Sequence, residues 1–308
     1  MRRILKYVLW TCLLVFVICI VGIGLFVVNG LWLAHNETPL SGQTSQRAVN
    51  PTPFEGRTIT IMAYNIAKGF IHQGGISFAA QEEVLKRLQQ IADLINAEQP
   101  DLVFLSETIF ECGPAPVNQI TTLAGATDMS FWAFGENYNV GLPFYRIVGG
   151  NAILSRWPLE TVANPSLAGR QPFYVTQNNR RILWCKMTIN GENIFLGSVH
   201  NDSYNLQNNL IQARQILDYL NGRPAILAGD FNAQPQEAPM QLFRKAGQFI
   251  WAFNGPLTFP TSNPQQKIDF ILAPAAWELL DHRVLQNNAS DHLPIISTFR
   301  VTASRVIP

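Results

Sequence analysis

The sequence predicts an α+β domain, antiparallel-rich sheets with helices outside them, behind one membrane-spanning helix. Three observations carry this. An apolar run without charge extends from Val8 to Val28. From about Thr58 to Val301, stretches of period-two hydrophobicity alternate with stretches of helical period. Asn190-Gly191, the strongest short hairpin cue, stands between two of the predicted strands. Hairpins mixed with strand–helix units are what layered sheets flanked by helices require.

The apolar run comes first. At about 1.5 Å of rise per residue, a helix of this length crosses a hydrocarbon core of about 30 Å. Arg2, Arg3 and Lys6 precede it, and no further Lys or Arg follows until Arg47. The positive-inside rule then puts the N-terminus in the cytoplasm and the rest on the extracytoplasmic side of the cell membrane. Trp10 and Trp32 suit the two interfaces. A cleaved leader is usually shorter in its apolar part and ends in an Ala-x-Ala-like site, which is absent here, so an uncleaved single-pass anchor is expected. The bilayer is thus one expected partner, reached through the helix. No protein partner is indicated.

The expected organisation is residues 1–33 as cytoplasmic N-terminus and anchor, 34–56 as linker, 57–302 as the catalytic domain and 303–308 as a tail. Pro39, Pro51 and Pro53 among polar residues mark the linker. Thr58 to Tyr64 alternates and reads as a strand. Glu82 to Asn96 places Val84, Leu88, Ile91 and Ile95 on one helical face. Leu102 to Leu105 and Asn151 to Leu154 are short strands. Arg181 to Ile189 and Asn193 to Val199 flank the hairpin cue. Asn209 to Leu220 is an amphipathic helix, closed by Asn221-Gly222 and Pro224. Ile226 to Ala228, Ile268 to Leu272 and Ile295 to Arg300 complete the strands. Cys185 alternates in phase with Leu183, Met187 and Ile189, so a buried free thiol is expected there rather than a disulfide to Cys112. Beyond the anchor, 19 bases face 21 acids, a formal −2, which is no basic nucleic-acid footprint.

Polar residues recur where these strands end: Asn65, Glu107, His200, Asp230, Asn232, Asp269, and the pair Asp291 and His292. Rigid strand ends hold exposed side chains in fixed positions, which catalysis needs. Taken singly, each has a bland alternative. A Glu after a strand is usually solvated, a lone His is usually a satisfied polar group, and Gly-Asp-Phe-Asn is a plausible Asx-turn.

The joint order is more specific. Tyr64-Asn65-Ile66, Ser106-Glu107-Thr108, Gly150-Asn-Ala-Ile-Leu-Ser-Arg156, Val199-His200, Gly229-Asp-Phe-Asn232, Ile268-Asp269-Phe270 and Ser290-Asp-His-Leu-Pro294 resemble, in order, the motifs of the endonuclease/exonuclease/phosphatase (DNase I-like) superfamily. The resemblance covers about Thr58 to Val301. Two departures stand out: Ser106 precedes the acid where Gln is more common, and Asn201-Asp202-Ser203 follows His200. The resemblance implies a four-layer αββα sandwich with the site at one edge of two packed sheets. It implies Mg²⁺ (or Mn²⁺) held by Glu107, with Asn65 and Asp291 nearby. It implies that His200 contacts the scissile phosphate, Asp230 orients or deprotonates the attacking water, Asn232 holds that water or a phosphate oxygen, and Asp269 pairs with His292.

These roles make physical sense. Phosphodiester hydrolysis builds charge on the phosphoryl and leaving oxygens, and a hard cation on oxygen ligands offsets it. A His paired with a carboxylate has its tautomer fixed and its imidazolium form favoured. Asp230 and the Asp269–His292 pair both remain candidates for the general base. The leading expectation is a membrane-anchored phosphodiesterase, with a phospholipid head group as substrate because the anchor keeps the site near a bilayer. An extracytoplasmic nuclease is the alternative, and a catalytically inactive binding module of the same fold is a third. Around the site, Arg180 and Arg181 read as a solvated strand edge, with a phosphate clamp the lesser reading. Tyr145 and Arg146 read as a loop able to line the cleft, and Phe131, Trp132, Phe134 and Tyr138 as core or lid packing.

Overall fold

The computed structural model describes residues 2–44, 52–74 and 77–302. The expected tail, 303–308, and residues 45–51 of the expected linker lie outside the described residues. In chain order the elements begin with α1 (Arg2–Leu31), β1 (Leu40–Gln43), β2 (Thr58–Asn65), a 3-10 turn (Ala67–Phe70), the small hairpin β3 (His72–Gly74) and β4 (Ser77–Phe78), and α2 (Gln81–Glu98). There follow β5 (Leu102–Cys112), α3 (Gln119–Ala126), β6 (Phe131–Leu142), β7 (Tyr145–Ser155), β8 (Glu160–Ala163), β9 (Leu183–Ile189) and β10 (Glu192–His200). The chain continues with α4 (Leu206–Leu220), β11 (Ala225–Asp230), α5 (Ala238–Ala246), β12 (Phe249–Ile250), β13 (Asp269–Pro274), β14 (Glu278–Val284) and β15 (Ile295–Arg300).

Two large sheets result, ordered β1-β6-β7-β5-β2-β15-β14 and β12-β13-β11-β10-β9-β8. Their strands alternate as the pleat demands. In β2, Ile59, Ile61 and Ala63 point between the sheets, where they meet Cys185, Met187, Leu196 and Ile226. Met62 and Tyr64 point outward to Val84, Leu88 and Ile91 of α2. On the far side, Trp184, Leu227 and Leu272 of the second sheet pack on Ile216 and Leu220 of α4 and Phe243 of α5. The layers therefore run helix, sheet, sheet, helix, as the family resemblance implies. Cys112 and Cys185 are buried and free.

The stretch expected to be a linker is docked wherever it is described. Leu40 to Gln43 pairs antiparallel with Phe131 to Phe134 as an edge strand. Phe54 is buried against Trp157, ring centroids 4.8 Å apart. Proline and polar residues hid these two apolar anchors. The aromatic cluster from Phe131 is a full strand, β6, with Phe134 and Tyr138 buried.

Helix α1 is long and apolar enough to cross a membrane. Its C-terminal end packs on the domain. Phe26 lies 5.2 Å from the ring of Phe173. Asn29 is buried and donates to Asn139 Oδ1 at 2.8 Å, while its Oδ1 accepts from Arg146 Nη1 at 3.2 Å. Tyr145 and Arg146, read from sequence as a cleft loop, instead begin β7, where Arg146 also pairs with Glu111 at 2.7 Å.

Candidate active site

Strand register assembles the site. In the second sheet, His200 of β10 stands opposite Asp230 of β11, and Asp230 stands opposite Asp269 of β13. Three chemically active residues thus share one row at one sheet edge. In the first sheet, Asn65 ends β2 opposite Ser106 of β5, next to Glu107. At Glu107 the pairing of β5 with β7 slips, and the residue takes φ +54. Such a bulge re-aims a side chain. The two edges are tied together by Ser106 Oγ, which donates to the Val199 carbonyl at 3.0 Å.

A continuous line of groups follows from this register. Glu107 Oε1 lies 3.7 Å from His200 Nε2, which lies 3.6 Å from Asp230 Oδ2. His292 Nε2 lies 3.7 Å from that same oxygen, and its Nδ1 is 3.0 Å from Asp269 Oδ2. Asn65 Nδ2 donates to Asp230 Oδ2 at 3.1 Å. Asp230 Oδ1 accepts from the Asn232 amide at 2.9 Å, so the expected Asx-turn exists and one carboxylate oxygen serves it. Asn232 Nδ2 in turn donates to the Asn201 carbonyl at 3.0 Å. Asn209 of α4 donates to the carbonyls of Phe231 and Asn232 at 2.8 and 3.1 Å and braces that loop. Asp291 is exposed and joins the group through Ser290, whose Oγ donates to the Asn65 carbonyl at 2.6 Å and approaches Asp291 Oδ1 at 3.2 Å.

All eight expected residues therefore meet at one edge, but not as one set of ligands. No contact among the described residues joins Glu107 to Asn65 or Asp291. The acids and histidine closest to sharing an ion are Asp230, Asp269 and His292, with ligand atoms within 4.8 Å of one another. Within that trio Asp269 already holds His292 Nδ1. Glu107, Asn65 and Asp291 offer the hard oxygen atoms that suit Mg²⁺.

The electrostatics separate the groups. Burial pushes the Glu107 carboxyl up, but the charge and hydrogen bond of Lys68 outweigh it and bring it down to about 2. Burial, then the charge of Arg180, drive His200 well below its ordinary value. Arg180 Nη1 lies 2.9 Å from His200 Nδ1, and a guanidinium only donates, so Nδ1 accepts and the proton sits on Nε2. Burial also opposes charge on His292, yet Asp269 and Asp230 carry it up to about 10. Burial raises Asp230 above the usual carboxylate range, and neighbouring Asp269 adds to this.

Several site residues escape a reading of the sequence. Lys68 forms an ion pair with Glu107 from the turn Ala67–Phe70, where four successive residues have positive φ and only the central Gly69 marks the chain reversal. Arg180 and Arg181 are buried, not a solvated edge. Arg180 lines the cleft, whereas Arg181 donates to the Asn36 and Asn164 carbonyls at 3.0 and 2.8 Å and is structural. Thr258 donates to Asp269 Oδ2 at 2.6 Å and fixes that carboxylate, with no motif to reveal it. The cleft, about 200 Å³, is lined by Glu107, His200, Arg180, Asn178, Ser203 and Tyr204 among others.

Known proteins share this architecture. The model of the Endonuclease/Exonuclease/phosphatase family matches residues 62–292. The uncharacterized protein YbhP of Escherichia coli (strain K12) is 30% identical over 233 residues, 68% of this chain and 86% of that protein. The crystal structure of an endonuclease/exonuclease/phosphatase from Beutenbergia cavernae DSM 12333 superposes with a TM-score of 0.60 at 21% identity, covering 80% of this chain and 72% of that one. A mannosyl-6-phosphatase of Bacteroides thetaiotaomicron VPI-5482 gives a TM-score of 0.56 at 15% identity, covering 78% and 99%. With matching motifs, sheet register and layers, the chain belongs to the endonuclease/exonuclease/phosphatase family and is a metal-dependent phosphoesterase.

Proposed function

We propose that the chain is a single-pass, membrane-anchored phosphodiesterase, dependent on Mg²⁺ or Mn²⁺, that cleaves a phospholipid head group on the extracytoplasmic side. The observation that carries this is one chain segment that touches α1 at Phe173 and lines the cleft from Thr176 to Arg180. The segment that packs on α1 at Phe173 runs directly into Asn178 and Arg180 of the cleft. This link supports a phosphoryl site near the end of the domain on which α1 packs.

Glu107, with Asn65 and Asp291, would hold the cation, which would supply positive charge to offset that on the phosphoryl oxygens. The chain's own groups do the rest. His200, neutral with its proton on Nε2, donates that hydrogen bond to a phosphoryl oxygen. Asp230, raised above the ordinary carboxylate range, is the better proton acceptor for it and takes the proton of the attacking water. Asn232, adjoining Asp230, holds that water. His292, kept as imidazolium by Asp269, places a positive charge beside Asp230 and the developing oxyanion.

The test is a hydrolysis panel with the full chain in lipid nanodiscs, comparing sphingomyelin, glycerophospholipids, DNA and RNA with Mg²⁺, Mn²⁺ or EDTA. Release of a phosphorylated head group in Mg²⁺ or Mn²⁺ but not EDTA is expected. Cleavage of DNA or RNA alone would replace the lipid reading with that of a nuclease. Inertness toward every substrate would favour a binding module.

A further inference from the structure

A second cavity adjoins the phosphoryl cleft, and its chemistry is different. It measures about 350 Å³, within the usual size of small-molecule sites, ~300–1,000 Å³. Its walls are chiefly Phe70, Ile71, Phe78, Ile109, Ile147 and the ring of Tyr138. It shares Lys68, Tyr138, Thr176 and Gln177 with the cleft, so the two cavities meet across a common wall. One molecule can thus place a phosphate among Glu107, His200 and Arg180 and an apolar arm among the phenylalanines and isoleucines.

The cavity also lies toward the anchor. Ile147 follows Arg146, whose guanidinium holds Asn29 of α1. Thr176 and Gln177 come shortly after Phe173 and Tyr174, which lie 5.2 and 6.5 Å from Phe26 of α1. Two of the chain segments that line the cavity, at Ile147 and at Thr176–Gln177, are therefore attached to the C-terminal end of α1. A purely polar diester would leave this apolar surface wetted, whereas an acyl or alkyl arm removes it from water.

We infer that this cavity is a binding subsite for the apolar arm of the phosphoester, the hydrocarbon part of a phospholipid drawn from the leaflet next to α1. The inference rests on the lipid reading proposed above and adds the residues that recognise the hydrocarbon. Affinity then grows with chain length until the cavity is full. Each buried methylene contributes roughly fourfold.

The experiment measures binding, so it does not require turnover. Methyl, butyl, hexyl and octyl phosphate are titrated by calorimetry into the full chain in nanodiscs with Mg²⁺, for the wild type, Ile147→Trp and Phe78→Ser. Ile147→Trp fills the cavity and Phe78→Ser removes one wall, while neither touches the phosphoryl groups. Partition of the longer alkyl phosphates into lipid affects all three proteins equally, so the comparison between them is the readout. Thermal melting identifies a variant that fails to fold, and the other variant then decides. The expected result is a Kd that falls roughly fourfold per methylene in the wild type. That slope is flattened in both variants, and methyl phosphate binding is unchanged. Equal slopes in wild type and variants, or no slope in the wild type, would overturn the subsite. An intact slope in a chain that hydrolyses no phospholipid would count against the lipid-hydrolysis reading alone. Lipid hydrolysis without a slope would count against the subsite alone.

Discussion

Two histidines of one site are held in opposite charge states by what touches Nδ1. Arg180 presses a donor on His200, and Asp269 offers an acceptor to His292. In metal-free protein, histidine ¹⁵N NMR is expected to find His292 still protonated at pH 8 and His200 neutral. Because the folded value of His292 lies above its ordinary value of 6.5, its pairing adds stability that is full below that pH and is lost as pH rises through about 10. A His292 signal titrating near 6.5 would refute the pairing. Turnover offers a second check. Asp269→Asn and His292→Ala should each cut the rate severely with little change in Tm, and the double variant should be scarcely worse than the worse single one, since residues acting as a unit are not additive. Rate losses that multiply would mean the two act independently. The ordered motifs made these residues legible in the sequence. Lys68 and Arg180 were not, because a basic residue in a turn or before a strand is ordinarily solvated, and only the fold brings Glu107 and Asp230 close enough to keep them inside.

The elements that read correctly are those whose pattern depends on their own residues: β2 with its alternation, α2 and α4 with their apolar faces, and the β9–β10 hairpin with Asn190-Gly191 at its turn. The missed ones depend on partners elsewhere. β6 carries Gly135, Asn137 and Asn139, poor strand formers alone, and is a strand because β7 and β1 pair on its two sides. β14 is a charged edge strand, and α5 is nine residues long. One glycine sets the spacing that delivers Asp230. Gly229 has φ +136, and a Cβ there would stand 2.1 Å from the Val199 carbonyl oxygen across the β10–β11 pair. Gly229→Ala should therefore cost roughly 3 kcal/mol in backbone strain and overpacking. At this chain length that lowers Tm by roughly 10 °C. A variant melting with the wild type would show that β10 and β11 can separate without loss.

At the scale of the whole molecule, a helix long and apolar enough to cross a membrane was legible from composition, but its docking on the domain was not. Asn29 meets Asn139 across 110 positions, and no local pattern encodes such a pair. With bases before α1 and none soon after, protease added to intact spheroplasts is expected to degrade the catalytic domain. Cleavage only after lysis would reverse the proposed orientation. The central claim is narrower than orientation or substrate: the edge where Glu107, His200, Asp230, His292 and Asp269 meet hydrolyses phosphodiesters with a divalent cation. It is tested most directly by the rate of p-nitrophenol release from bis-p-nitrophenyl phosphate by the full chain with Mg²⁺, with EDTA, and with Glu107→Gln. The substitution keeps the shape and removes the charge that Lys68 holds ionised. Loss of activity in EDTA is expected, with a fall of at least ~10²-fold in the variant that excess Mg²⁺ restores only in part. Full activity in EDTA, or a variant as fast as the wild type, would contradict the claim.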